Sequence, residues 1–239
     1  MKKTRQNKNF DLIVFDCDGV LVDSEVISCR AHADVLRRHG YAITSDQVLR
    51  RFLGVSDREA RQTIEREMGR KLPDDFEAQM KQAALQRYAS ELVAIPHIGE
   101  TIAAIDLPKC VASSGTPEKI RHGLTSAGLF DTLAPHIFSA VQVARGKPAP
   151  DLFLFAAEQM NTAPERCLVI EDSVPGVTGG YAAGMTVLGF HGGSHCTSGH
   201  AELLRAAGAA ITFDDMRQLP VLVAQIGQKP NLIAGFPGI

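Results

Sequence analysis

Two aspartates at the end of an apolar run are the first residues of this chain whose type and spacing suggest chemistry. Asp16 and Asp18 follow the β-rich segment 12–15 and precede Gly19, which allows the backbone to turn. Residues two apart on an extended chain project to the same side, so the two carboxylates repel each other unless something compensates. A divalent cation, or a proton held on one carboxyl, is the compensation that we expect.

Polar residues also occur at three later points of the chain. Residues 113–116 close one apolar run, residues 171–173 close another, and Lys147 lies in a loop between the two. In open α/β sheets the carboxyl ends of the strands meet at one edge, where ligands bind. We therefore expect these residues to meet Asp16 and Asp18. Carboxylates, a hydroxyl and an ammonium in one place suit a divalent cation together with a phosphate.

The elements that must position these residues alternate between strands and helices. From Gly99 onward, short apolar runs are separated by segments of about ten residues with helical spacing. This alternation is typical of a parallel sheet covered on both faces. The expected strands are 12–15, 109–113, 137–140, 167–170, 185–190 and 209–213. The expected helices are 101–106, 117–127, 150–160, 175–183 and 214–226.

A second region, residues 24–95, has only helical patterns. Its apolar residues recur at helical spacing, and no part of it alternates as a strand does. The four helices expected there are 24–39, 45–52, 57–68 and 73–88. We therefore predict two domains: a discontinuous α/β core made of residues 1–23 and 96–239, and a helical domain, residues 24–95, inserted into it.

The composition is ordinary for a globular protein and excludes several classes. The chain has 239 residues, 45% of them hydrophobic, and a formal net charge of −2, so no general attraction to nucleic acid or to an anionic membrane is expected. No apolar run reaches the length of a membrane span. The five cysteines form no CxxC pair, and the basic N-terminal stretch lacks the apolar segment of a signal peptide. We expect a cytoplasmic protein, and a monomer because nothing indicates an obligate dimer face.

Four motifs, in this order, resemble those of the haloacid dehalogenase superfamily. They are Asp16-Cys17-Asp18-Gly19-Val20-Leu21-Val22-Asp23, Val111-Ala112-Ser113, Gly146-Lys147-Pro148-Ala149-Pro150-Asp151 and Ile170-Glu171-Asp172-Ser173. More narrowly, the chain looks like the β-phosphoglucomutase-like phosphatases, which carry a helical cap between the first and second motifs. The resemblance covers roughly residues 10–190. It implies a Rossmann-like parallel sheet core with an inserted helical cap.

The resemblance also implies a division of roles among the acids. Asp16 would be the nucleophile that forms an aspartyl-phosphate, and Asp18 the general acid and then the general base. Mg²⁺ would be the cofactor, held by the carboxylates of Asp16 and Asp172 and by the backbone carbonyl of Asp18. Glu171 would be a further ligand or would orient one. The alternative for Glu171 and Asp172 is a solvated helix start, in which Asp172 or Ser173 caps the helix.

The second and third motifs would hold the phosphate. The resemblance implies that Ser113 donates to a phosphoryl oxygen, and that Lys147 neutralises phosphate charge and holds the nucleophile. Ser114 and Gly115 lie at the start of the next helix, where free backbone N–H groups favour an anion. A plain helix cap is the alternative, above all for Thr116.

In the helical domain, residues 51–56 resemble the part of the cap that faces the substrate in this subfamily. Gly54 permits a tight turn, and Arg51 or Arg58 would pair with a substrate anion. Exposed helix arginines without such a role are the alternative.

One departure from the family concerns the mutases. β-Phosphoglucomutase carries a histidine on its first cap helix and an arginine in its substrate loop, and by spacing Ser28 and Asp57 stand in those places. We therefore expect a Mg²⁺-dependent phosphatase that acts on a small phosphorylated metabolite, a sugar or sugar-acid phosphate. A phosphosugar mutase is the enzymatic alternative, and a phosphometabolite sensor is the non-enzymatic one. A dehalogenase is disfavoured because Asp18 and the acidic fourth motif serve phosphate and metal chemistry.

Three other features suggest functions that their context does not favour. The glycines of segment 176–184 lie in a helical pattern and do not have the GxGxxG spacing of a dinucleotide loop. His191, His195 and His200 lie in a Gly/Ser-rich loop, which favours solvated histidines over a zinc site. Cys17 would point away from the two acids on a strand, so its expected role is packing.

Overall fold

The apolar run before Asp16 forms a strand, β1 (Leu12–Phe15), in the computed structural model, which describes residues 10–52, 55 and 57–228. All of its residues are buried. A strand without a polar face must be covered on both sides, and β1 lies inside a six-stranded sheet. The other strands are β2 (Lys109–Ser113), β3 (Ile137–Ser139), β4 (Cys167–Glu171), β5 (Thr186–Phe190) and β6 (Ile211–Phe213).

The strand order is β3-β2-β1-β4-β5-β6, and every neighbouring pair is parallel. The direction of winding reverses at β1, which pairs with β2 on one side and β4 on the other. In doubly wound sheets the ligand crevice lies beyond the carboxyl ends of the strands at such a reversal. Phe15, the last residue of β1, aligns with Val111 and Ile170. The residues that follow these three strands therefore emerge at the same edge, and the predicted α/β fold class is confirmed.

Asp23 to Val93 form a unit of their own. Its helices are α1 (Glu25–Arg38), α2 (Ser45–Phe52), α3 (Asp57–Met68) and α4 (Phe76–Glu91). They pack around buried side chains that include Leu36, Tyr41 and Phe76. The fourth helix was expected from residue 73 but begins later, because residues 73–76 form a turn in which the Phe76 N–H donates to the Pro73 carbonyl.

The other unit contains the chain up to Val22 and again from Ala94. Its helices are α5 (Ile98–Ala104), α6 (Pro117–Ser126), α7 (Phe130–Leu133), α8 (Asp151–Gln159), α9 (Val174–Ala182), α10 (His200–Ala206) and α11 (Leu219–Gln228). None of the helices described in either unit is both long and apolar enough to cross a membrane.

Several of these helices differ from expectation: α5 was expected over 101–106, and no helix was expected where α7 lies. The final helix was expected from residue 214, but Asp215 instead caps a short 3₁₀ turn, Met216–Gln218, by accepting from the Arg217 N–H, and α11 follows. Helix α10 lies where a loop was expected. It has only seven residues, too few for a helical period to show in the sequence.

Candidate active site

Lys147 joins two of the predicted acids in the protein interior. Its Nζ lies 2.5 Å from Oδ1 of Asp16 and 2.6 Å from Oε1 of Glu171, and it donates to the Ala112 carbonyl at 3.0 Å. The Lys147 side chain is only 4% exposed. A buried ammonium is stable only beside negative partners, so these contacts stabilise the fold. They also place a positive charge beside the two carboxylates. All four predicted motifs therefore meet around this ammonium.

The loop that carries Lys147 is anchored at the start of α8. The Arg145 guanidinium makes two hydrogen bonds to the Asp151 carboxylate, at 2.7 and 3.1 Å. The ring of Phe153, a buried α8 residue, lies 5.1 Å from Nζ of Lys147 and packs against the ammonium. These contacts direct the lysine toward the ends of β1 and β4.

Glu171, the last residue of β4, is fully buried. Its Oε2 accepts from the N–H and from the hydroxyl of Ser173, each at 2.9 Å, while Oε1 accepts from Lys147. Gly176 of α9 makes room for this carboxylate, since a Cβ at that position would lie 1.7 Å from Oε1. The glycine thus serves packing around the site. The side chain of Ser173, and not that of Asp172, caps α9 by accepting from the Gly176 N–H.

Asp172 contacts a histidine that the sequence analysis missed. Its Oδ2 lies 2.9 Å from Nε2 of His195, and the two side chains are 5% and 2% exposed. The expectation that His195 is solvated is therefore wrong. The loop after β5 folds back over the Asp16-Asp18 turn: a Cβ on Gly19, whose φ is +83°, would lie 1.9 Å from Oδ2 of Asp172 and 2.9 Å from Cε1 of His195. Only a glycine fits there.

Asp18 also has a partner that was not predicted. Nζ of Lys119, in the first turn of α6, lies 2.9 Å from Oδ2 of Asp18. The two side chains are 29% and 17% exposed, so this ion pair is more accessible than the one at Lys147. The sequence offered one signal for this contact. Lys119 lies at the start of the helix that follows β2, and such helix starts lie at the same edge of the sheet as Asp18.

The second motif ends β2 in a tight turn. The Ser113 side chain is buried, and its Oγ accepts from the Gly115 N–H at 3.0 Å, which leaves the hydroxyl proton to donate elsewhere. The Gly115 carbonyl accepts from the Ser139 hydroxyl at 2.6 Å. Ser114 is exposed. Thr116 is the N-cap of α6, so the interpretation of this residue as a plain helix cap holds.

Burial controls the ionisation of the central groups. It raises the pKa of the Asp16 carboxyl well above its usual range; Lys147 opposes this, and the Glu171 and Asp172 carboxylates add to it. Burial likewise raises the pKa of Asp172, against the opposing contact with His195. Burial also raises the pKa of the Cys17 thiol well above normal, which supports a packing role for this buried side chain. A positive charge near Asp16 and Asp172 would therefore stabilise the ionised form of both carboxyls.

Three of the carboxylates converge closely enough to share a cation. One oxygen each from Asp16, Glu171 and Asp172 lie within 4.8 Å of one another. Oδ1 of Asp172 is buried and has no hydrogen-bond partner within the described part of the chain. A buried carboxylate oxygen is costly to leave unpaired. This donor set fits Mg²⁺, a hard ion that prefers oxygen ligands and keeps several waters.

The residues of the helical unit that were predicted to face the substrate differ in their contacts and exposure. Arg51, near the end of α2, donates to the Tyr41 hydroxyl at 2.8 Å and to the Glu67 carboxylate at 2.6 Å. Arg58 is exposed on α3. Gly54 lies outside the described residues. Arg51 is thus engaged by its own unit, whereas the Arg58 side chain is open to solvent.

Comparison with known proteins identifies the family of this chain. The profile of the haloacid dehalogenase-like hydrolases matches residues 10–184. The chain is 34% identical over 213 residues to the 6-phosphogluconate phosphatase of Escherichia coli strain K12, which covers 89% of this chain and 94% of the relative. It is also 34% identical over 182 residues to hexitol phosphatase A of the same strain, with 73% of this chain and 80% of the relative covered.

A solved structure extends the likeness to three dimensions. A haloacid dehalogenase family hydrolase from Deinococcus radiodurans R1, with bound phosphate and sodium, has a TM-score of 0.78 and 32% identity. The match covers 92% of this chain and 97% of the other. The family profile spans all four motifs described above. This chain belongs to the haloacid dehalogenase-like hydrolases.

Proposed function

We propose that the protein is a phosphatase that hydrolyses a small phosphorylated metabolite, a sugar or sugar-acid phosphate. The observation that carries this proposal is the buried Lys147 ammonium between Asp16 and Glu171, which places fixed positive charge beside a candidate nucleophile. Family membership supports hydrolysis. Relatives named 6-phosphogluconate phosphatase and hexitol phosphatase A support phosphoric monoesters of sugar type.

Asp16 is proposed as the nucleophile. Lys147 holds its Oδ1, so Oδ2 is the oxygen that attacks phosphorus. The bond from phosphorus to the leaving oxygen breaks as the bond to Asp16 forms, which gives an aspartyl-phosphate and a free alcohol. Water then attacks this phosphorus and releases inorganic phosphate, so that the Asp16 carboxylate is restored.

Asp18 is proposed as the acid and base of the two steps. It gives a proton to the leaving oxygen in the first step and takes one from the attacking water in the second. Lys119 lies beside Oδ2 of Asp18 and places a positive charge next to this carboxyl. The lower burial of this ion pair suits a group that must exchange protons with substrate and water.

Mg²⁺ is the proposed cofactor. Asp16, Asp172 and the backbone carbonyl of Asp18 would hold it, and the unpaired Oδ1 of Asp172 is the oxygen best placed to become a ligand. When bound, the cation would offset the negative charge of the carboxylates and the phosphate. Glu171 has both oxygens engaged by Lys147 and Ser173, which supports an orienting role.

The phosphate would be held by the turn after β2. The Ser113 hydroxyl donates to a phosphoryl oxygen, and Ser114 and Gly115 offer N–H groups near the start of α6. The helical domain, residues 24–95, is proposed as a cap in which Gly54, Arg51 and Arg58 face the substrate. Because Arg51 already pairs with Glu67, Arg58 is the better candidate for the substrate anion. A cytoplasmic location and a monomeric state stay predictions.

A substrate panel tests the proposal. The full chain, stripped of metal, is assayed for phosphate release from sugar, sugar-acid and sugar-alcohol phosphates with and without Mg²⁺. We expect Mg²⁺-dependent release from one of these classes, and loss of at least about 1,000-fold in kcat in Asp16→Asn. Asp11→Asn is the matched control, because Asp11 is exposed and pairs with Arg166. Release that survives Asp16→Asn or full chelation contradicts the mechanism.

The same assay separates the alternatives. A mutase converts the substrate to an isomer without net phosphate release and needs a bisphosphate activator. Ser28 occupies the place of the mutase histidine and hydrogen-bonds the Tyr88 hydroxyl within the helical unit, which does not favour that reaction. A sensor would bind a sugar phosphate tightly without turnover.

A further inference from the structure

A second set of metal-binding side chains lies in the segment after β5. His195, Cys196 and His200 each offer one ligand atom, and these atoms lie within 4.8 Å of one another. Sγ of Cys196 is 3.4 Å from Nε2 of His195, and the rings of the two histidines meet edge to face with centroids 5.7 Å apart. The proposed hydrolysis uses neither Cys196 nor His200. Their convergence therefore calls for an explanation of its own.

The donor types identify the kind of cation. Thiolate and imidazole are poor ligands for Mg²⁺ but good ligands for Zn²⁺. We propose that His195, Cys196 and His200 form a Zn²⁺ site, with Oδ2 of Asp172 completing four-coordination. The charges balance, since one thiolate and one carboxylate neutralise the dication while both imidazoles are neutral.

The distances are close to those that Zn²⁺ requires. Tetrahedral coordination with ordinary bond lengths separates sulfur and nitrogen ligands by roughly 3.6 Å, and Sγ of Cys196 lies 3.4 Å from Nε2 of His195. Nitrogen and oxygen ligands are separated by roughly 3.3 Å, and Nε2 of His195 lies 2.9 Å from Oδ2 of Asp172. The cation takes the place of the proton between these two atoms, so the pair must open by about 0.4 Å.

Contacts around the site orient its ligands. Nε2 of His200 lies 2.6 Å from the Asp172 carbonyl oxygen. A carbonyl only accepts, so Nε2 carries the proton and the lone pair of the neutral ring is on Nδ1. A metal-bound histidine commonly donates its other N–H to a carbonyl in this way. The His195 ring packs closely against Gly193, where a Cβ would lie 2.7 Å from its Cε1, and its buried Nδ1 has no hydrogen-bond partner within the described residues.

Access also fits a metal site. The chain's five cysteines all lie in described segments, and four are buried while Cys196 is only partly so. His200 is half-buried as well. A cation can therefore reach the site from solvent past Cys196 and His200, and the buried His195 and Asp172 lie at its inner side.

Asp172 would then serve two cations with different oxygens. Its Oδ2 lies 2.9 Å from Nε2 of His195, whereas its Oδ1 has no hydrogen-bond partner in the described structure and is the oxygen that we assign to Mg²⁺. The zinc site itself does not rest on the proposed phosphatase activity, because it concerns only the capture of a cation by these side chains.

Metal titration of the chelator-stripped full chain tests the proposal. Co²⁺ serves as the spectroscopic probe, because a bound thiolate gives a charge-transfer band and tetrahedral geometry gives intense visible absorption. Zn²⁺ affinity is then measured by competition with a chromophoric chelator. We expect a thiolate band that saturates at one equivalent of Co²⁺ and disappears in Cys196→Ser, and at least about tenfold weaker binding of the tightest Zn²⁺ in Cys196→Ser and His200→Gln.

Two controls make the result decisive. His136→Gln changes an exposed histidine away from the site and should leave Zn²⁺ affinity unchanged. Asp16→Asn should also retain the thiolate band, because Asp16 belongs to the carboxylate cluster. Circular dichroism establishes that each variant is folded. Absence of a thiolate band in the wild type overturns the proposal, as does Zn²⁺ binding that is unchanged in Cys196→Ser or abolished by Asp16→Asn.

Discussion

Nε2 of His195 lies 2.9 Å from Oδ2 of Asp172, and both side chains are almost completely buried. The contact is possible because β4 and β5 are neighbours, with Glu171 aligned to Gly189, so the segments that follow the two strands share one edge of the sheet. A buried carboxylate without a partner is strongly destabilising. His195 therefore positions Asp172 and offsets its burial before any cation binds.

His195→Ala should affect both stability and metal binding. Removal of one member of a buried pair leaves the other uncompensated, so we expect unfolding free energy to fall by about 3–5 kcal/mol. The Mg²⁺ concentration that half-saturates phosphate release should rise, because Asp172 loses the contact that orients it. Chemical denaturation and a Mg²⁺ titration measure the two effects. The exposed His136 provides the control, and a variant His195→Ala that behaves like His136→Ala shows that the pair has no such role.

Lys147→Met should be among the most damaging single changes in the core. It leaves the buried Asp16 and Glu171 carboxylates without their shared ammonium, at an expected cost of about 3–5 kcal/mol in unfolding free energy. Added Mg²⁺ should restore part of the stability, since it offsets the same charges. Lys71→Met is the control: Lys71 also pairs with a carboxylate, Glu65, but is 88% exposed. A cost of at most about 1 kcal/mol is expected there. Equal costs for the two variants contradict the prediction.

Gly176→Ala should disturb the active site although it adds only a methyl group. The new Cβ would lie 1.7 Å from Oε1 of Glu171, so that carboxylate must move away from Lys147. We expect a loss of about 1–3 kcal/mol in stability, together with a clear fall in kcat. Gly99→Ala is the matched helical control, because nothing lies within 4 Å of its Cβ position. That change should be neutral or stabilising by up to about 1 kcal/mol. Similar effects at both positions exclude the steric explanation.

Glu65 should make the helical unit sensitive to acid. Hydrogen bonds from Lys71, the Leu72 N–H and Arg61 lower the pKa of Glu65 to about 2. A carboxyl whose pKa is lower in the folded state contributes stability above its unfolded pKa, and this contribution is lost as the pH falls through the folded value.

Glu65→Gln should therefore reduce stability at neutral pH and cost progressively less as the pH falls from about 4.5 toward 2. Denaturation at several pH values, followed by tyrosine fluorescence, measures this. The chain has three tyrosines and no tryptophan, and Tyr41 and Tyr88 lie in this unit. Glu59→Gln, an exposed change on the same helix, is the control. If Glu65→Gln lowers the unfolding free energy by the same amount at every pH, the lowered pKa of Glu65 does not explain the effect.

Much of the fold follows from local pattern. The run from Leu12 to Phe15 has no polar side and becomes a strand buried on both faces, as its composition predicts. The strand Lys109–Ser113 was predicted to the residue, and the parallel sheet followed from strands that alternate with helices. These features depend on residues near one another in the chain, which a periodicity can report.

The charged side chains that meet at the site could also be identified from the sequence. Asp16 and Asp18 were identified from their spacing, and the strand-end argument brought Glu171, Asp172 and Lys147 to the same place, where the structure has them. Their placement follows from a general property of parallel sheets and needs no side-chain geometry.

The partners of these acids were decided only by tertiary structure. His195 lies in a Gly/Ser-rich segment without periodicity, and Lys119 looks like any charged residue in a first helical turn. Each reaches its aspartate because the order β3-β2-β1-β4-β5-β6 places a particular loop or helix over the end of β1 or β4. Residue types and their local spacing determined which chemical groups this site contains. Packing across the sheet decided which charges meet, because contact energies depend on distances that neighbours in sequence do not determine.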